Sequence, residues 1–164
     1  MKKVLFFSLL MLFASVCTVS AGKKQKKVYK YEIVPMGVGA GGSALIKVYS
    51  YAKNEKAAIE LAKENAVHGI LFKGVVGGNG TSAQPALVKP EEKAAHEDFF
   101  ENFFSEGTYL RYVSLSSDGT VSSDDRLKVG SVYKIGIIVS VNKKDLRTYL
   151  ESEGIIKKFG GGIF

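Results

Sequence analysis

The sequence has no tryptophan, one cysteine, two histidines and three prolines among 164 residues. Each scarcity removes a class of chemistry. Cys17 sits inside the leader-like start of the chain, so cleavage beyond it leaves no disulfide, no thiolate metal site and no cysteine nucleophile. His96-Glu97 begins like a zinc-protease motif, but Phe100 stands where the second histidine belongs. A metal site would have to combine His68 with His96; otherwise both are satisfied or solvated side chains. No G-x-S-x-G elbow occurs, and Gly80 replaces the lysine that a phosphate-cradling loop would need before Thr81. The apolar run from Val4 to Ala14 falls short of the roughly 20 residues that cross a bilayer, so no transmembrane span is expected. With 18 glycines against so few prolines, irregular turns are expected instead.

What is present at the start is the pattern of an export signal. Lys2 and Lys3 precede the apolar run, and small residues at Val19-Ser20-Ala21 supply a cleavage site after Ala21. Acylation at Cys17 is the alternative, and it would make an outer-membrane lipoprotein; Val16 is bulky for the position before such a cut. Residues 1–21 are therefore set apart from the fold. The formal charge of +7 is unevenly spread. Six of the 23 basic residues lie before Val28, leaving 17 against 16 acids and a net of +1 beyond it. Residues 22–27 form a basic arm, with Lys23, Lys24, Lys26 and Lys27 as candidates for contact with an anionic membrane surface or a polyanion. Nucleic acid is excluded as a partner, because a nearly neutral body offers no phosphate-neutralising face.

The proportions of 46% hydrophobic and 24% charged residues fit one globular domain, here residues 28–158. Residues 28–34 alternate as a strand that Pro35 should end, and 44–51 make a second strand antiparallel to it. Asn54 caps a helix to about Phe72, with Ala58, Ile59, Ala62, Ala66, Gly69 and Ile70 facing inward and Val67 facing away. Residues 74–90 read as an irregular loop, and 91–105 as one helix carrying Phe99, Phe100, Phe103 and Phe104. Those rings are core or a partner-binding stripe. Strands follow at 109–115 and 131–141, with an edge strand or a loop at 120–127 between, and Asn142 caps a last helix that Gly154 ends. The tail 159–164 has no pattern and should fray. The fold class is α+β: an antiparallel sheet of four to five strands with two to three helices on one face.

Gly37, Gly39 and Gly42 satisfy G-x-G-x-x-G, yet a strand follows them, so no helix terminus is offered to a pyrophosphate. Asp118, Asp124 and Asp125 cluster at a turn and could serve a carbohydrate-active hydrolase, or be solvated turn acids. No cofactor is expected. Two stretches carry a resemblance: the small-residue stripe Ala58, Ala62, Ala66 and Gly69, and the strand-to-helix junction from Tyr133 to Leu146. Together they resemble the small α+β modules of bacterial envelope lipoproteins and of flagellar-assembly N-terminal domains, and the whole chain is similar to exported proteins of Gram-negative bacteria. The resemblance implies a non-catalytic part of an envelope assembly, located in the periplasm, at the surface or secreted. Its partner would be an envelope protein or a surface glycan. The candidate contact loop is Asn79, Thr81, Ser82 and Gln84, polar and small within the longest stretch lacking core periodicity.

Overall fold

The computed structural model describes residues 27–116 and 118–158. The expected leader with Cys17, the arm residues Lys23, Lys24 and Lys26, and the tail 159–164 lie outside the described residues.

Among the described residues the fold is α+β, a five-stranded antiparallel sheet with four α-helices. Strands β1 (Tyr31–Val38) and β2 (Ala44–Ala52) form the first hairpin, and helix α1 (Glu55–Phe72) follows directly. Helices α2 (Pro90–Ala95) and α3 (Glu97–Ser105) precede β3 (Val113–Leu115), β4 (Arg126–Val129), β5 (Val132–Val141) and α4 (Lys143–Ser152). The order is β1-β2-β5-β3, with β4 also on β5. Since β2 pairs with β5 from Tyr133 to Val141, β3 and β4 share the opposite side of β5, one at each end.

Register explains the core. Ile33 faces Val48, which faces Ile137, and the row Pro35, Ile46 and Val139 lies beside it. Side chains of one parity therefore meet α1, and Ile46, Val48, Ile135, Val139 and Val141 are buried. Each such side chain contributes about 1.5–3 kcal/mol. α1 brings a narrow face of Ala58, Ala62 and Ala66, all fully buried, and Gly69, where a Cβ would collide with Ile33. The small stripe lets helix and sheet approach closely. Asn65 Nδ2 donates to Ser50 Oγ at 2.9 Å, satisfying a buried polar pair between them.

Several elements depart from the sequence expectation, each for a physical reason. Pro35 does not end β1; at a sheet edge its missing N–H costs nothing, and a register shift between Pro35 and Gly37 absorbs it. Val67 is fully buried, because Leu87 and Val88 close over the far side of α1, their N–H groups donating to the Ile70 and Leu71 carbonyls. The segment read as one helix over 91–105 is two, broken at His96, whose φ of −124° and ψ of 36° are not helical. Thr108–Tyr112 is a 3-10 turn, not strand; its three-residue period puts Tyr109 and Tyr112 on one buried side. The 74–84 stretch is a small hairpin with bridges at Val75–Gln84 and Gly78–Thr81. Where capping chemistry was explicit the structure agrees: Asn54 accepts from Ala57 N–H, Asn142 from Asp145 N–H, and Gly154 takes φ +72° after α4.

Candidate functional site

The C-terminal half of α1 makes one wall of a cleft of about 660 Å³, and α3 makes the other. On α1, Glu64, His68 and Phe72 follow at four-residue spacing and so share one flank of the helix. Phe100 and Phe104 enter from α3, with Glu97, Asp98 and Glu101 on its rim, while Tyr29 and Lys27 close the end nearest β1. Lys93 of α2 completes the lining, with Ser105 at the edge. The floor is aromatic and the rim is charged.

His68 is the centre of the floor. Its ring stacks on Tyr29 with centroids 3.7 Å apart, and Phe72 meets it edge-on at 4.9 Å. Tyr31 Oη and His68 Nδ1 share a hydrogen bond of 2.7 Å. Nε2 has no hydrogen-bond partner among the described residues, and since none of their buried side-chain polar atoms lacks one, Nε2 is not sealed off; His68 lines the cleft. Burial, reinforced by the Lys93, Lys73 and Lys27 ammonium groups, pushes the His68 pKa down to about 3. The imidazole is therefore neutral, and far too weak a base to match a proton-transfer role near pH 7.

Glu64 lies above it. Its carboxylate accepts from Tyr29 Oη at 2.8 Å and from Lys27 Nζ at 2.5 and 2.6 Å. Burial and this carboxylate push the Tyr29 hydroxyl well above its ordinary range, so it remains a donor. Lys93 Nζ stands 4.2 Å from the centre of the Phe72 ring, and Lys27 Nζ 5.4 Å from that of Tyr29. Glu97 and Glu101 are engaged in interactions of their own.

Of the residues singled out from the sequence, Lys27, His68, Phe100 and Phe104 line the cleft, and the others are placed elsewhere. Asn79 donates from Nδ2 to the Pro35 carbonyl at 2.7 Å, Thr81 Oγ1 donates to the Gly78 carbonyl, and Gln84 Oε1 accepts from Lys143 Nζ at 3.1 Å. Of that loop, Ser82 is exposed. None of the four lines the cleft. Lys27 of the basic arm does line it. The turn acids do not converge on it either: Asp118 is exposed and accepts from Thr120 N–H, and Asp125 is committed to Lys47 and Tyr49 on the far face of the sheet. His96 lies at the α2–α3 break and does not line the cleft beside His68. Among the described residues no three His, Cys, Asp or Glu side chains group as metal ligands. Nor, among them, is any helix long and apolar enough to cross a membrane. Gly37, Gly39 and Gly42 lead into β2, a strand, and so present no helix terminus.

Tyr29, Glu64 and Phe72 were not legible as site residues, although the spacing Glu64, His68, Phe72 marks a stripe beside the small-residue face. No family model matches the chain, and no curated protein and no solved structure is similar enough to count as a match.

Proposed function

We propose that the protein is a non-catalytic, exported binding component of the cell envelope, in keeping with the resemblance to envelope modules, and that the cleft between α1 and α3 is where it binds. One observation carries the reading: the only imidazole in the cleft is fixed by Tyr31, stacked on Tyr29 and held neutral, so it offers a contact surface and not a proton shuttle. The floor of rings gives apolar area, and the rim of Glu64, Asp98 and Lys93 gives orientation. The loop Asn79–Gln84 is a weaker candidate than it was from sequence, since three of its four polar side chains are already bonded within the domain.

A fragment screen followed by NMR amide and aromatic shifts tests the site. Perturbations should gather around Tyr29, His68 and Phe104, with no turnover of chromogenic glycoside, ester or amide substrates. Turnover that His68→Gln abolishes would overturn the reading, as would perturbations gathered at Asn79–Gln84. The mass of the mature N-terminus tests the compartment: Gly22 follows from cleavage after Ala21, acylated Cys17 from lipoprotein processing, and an intact Met1 contradicts export.

A further inference from the structure

Two of the protein's own lysines already use the cleft as a cation would. Lys93 lays its ammonium on the Phe72 ring, and Lys27 places its own on Glu64 beside the Tyr29 ring. Glu64 is only 12% exposed, and the ammonium on it is carried by a side chain that is 52% exposed at the start of the described chain. A carboxylate so far withdrawn from water attracts a positive partner beyond the Tyr29 hydroxyl that already donates to it, and an exposed lysine is one that can be exchanged. Beside it, His68 is 7% exposed and lines the cleft, and its Nε2 has no partner among the described residues. The Tyr31 hydroxyl can accept from Nδ1–H, which leaves Nε2 a lone pair for an incoming N–H. Phe100 and Phe104 then line room for an apolar body next to that head.

Building on the cleft as the binding site, we infer that it takes a primary organic ammonium with an aromatic or aliphatic body, whose head displaces Lys27 from Glu64 and donates to His68 Nε2 while its body lies on the Phe100 and Phe104 rings. Recognition combines a charge-assisted hydrogen bond with cation–π attraction. Lys27 then acts as a built-in competitor, a role that a merely structural ion pair would not have.

Calorimetric titration with a matched series tests this: phenylbutylammonium, phenylbutanol and phenylbutyrate share one body and differ in the head. The ammonium should bind at least about tenfold more tightly than the alcohol, with the carboxylate weakest. Glu64→Gln, which keeps an acceptor for Tyr29, should erase that preference. Lys27→Ala should tighten ammonium binding several-fold, because the competitor is gone. Equal or tighter binding of phenylbutyrate, or weaker ammonium binding in Lys27→Ala, overturns the inference and leaves the cleft as a binding site. Failure of all three probes to bind overturns both.

Discussion

The same three groups occur twice in this molecule: a lysine, a tyrosine hydroxyl and a carboxylate. Lys27, Tyr29 and Glu64 form the set at the cleft, and Lys47, Tyr49 and Asp125 form the set on the outer face of the sheet. The distances are alike, with the tyrosine hydroxyls each 2.8 Å from their carboxylates. The settings are not. Lys47 and Tyr49 both come from β2, and Asp125 is brought onto them by the turn before β4; the Lys47 and Asp125 side chains are 19% and 13% exposed. Gly136 of β5 lies under the Tyr49 ring, where a Cβ would stand only 2.7 Å from Cε1. That set has no room for an exchange. At the cleft, the lysine comes from a chain segment outside any helix or strand and its carboxylate borders open volume. Identical chemistry is a rivet in one place and a latch in the other.

The largest effect that would sharpen this contrast comes from His68, which only the cleft set adjoins. Its folded pKa of about 3 lies below its ordinary 6.5. Below pH 6.5 the unfolded chain binds a proton that the folded chain refuses, so stability falls with pH by about 1.4 kcal/mol per unit until the folded pKa is reached. Between pH 6.5 and 4 the loss is roughly 3 kcal/mol, readable by urea unfolding, and His68→Gln should flatten that limb. An unchanged limb would mean that the cleft floor is wet and the imidazole charged.

Next comes the rivet. Asp125→Ala leaves the part-buried Lys47 ammonium and the Tyr49 hydroxyl without their acceptor, and should lower unfolding free energy by roughly 1–3 kcal/mol. Burial pushes the Asp125 carboxyl up, but the hydrogen bonds from Lys47 and Tyr49 outweigh it and hold it below the ordinary aspartate range. Its contribution is accordingly present above that ordinary range and lost as pH falls through the depressed value. The smallest effect is the latch itself: Lys27→Ala should change stability by no more than about 0.5 kcal/mol, since the ammonium is half exposed and Tyr29 still holds Glu64. Equal losses in Asp125→Ala and Lys27→Ala would erase the distinction.

What could be read from the sequence was local. Asn54 and Asn142 announced their helices because a cap is a bond between near neighbours, and the alternation of Ile135, Ile137, Val139 and Val141 announced the central strand. The break at His96 was hidden because both flanks are good helix formers. Beyond the break, the α3 rings serve two distant neighbours: Phe100 meets Phe72 of α1, whereas Phe99 and Phe103 meet Tyr149 of α4. Tyr109 and Tyr112 favour strands on their own, but burial beside Phe104 and Phe103 is better served by a three-residue period. The cleft was hidden for the same reason, since its walls are α1 and α3, which only the tertiary fold brings face to face. Within one element there was only four-residue spacing, Glu64, His68 and Phe72 on α1 and Phe100 and Phe104 on α3, and neither spacing says what the stripe will face.

The pairing of β2 with β5 has a consequence for how the molecule comes into being. Ala44 lies opposite Val141 and Ala52 opposite Tyr133, so the middle of the sheet joins two distant parts of the chain. A nascent polypeptide that has emerged only as far as α3 has a hairpin and a helix with one edge of β2 still unpaired, and must wait for its last third before the sheet can close. Until then that strand edge stays open to any other strand it meets.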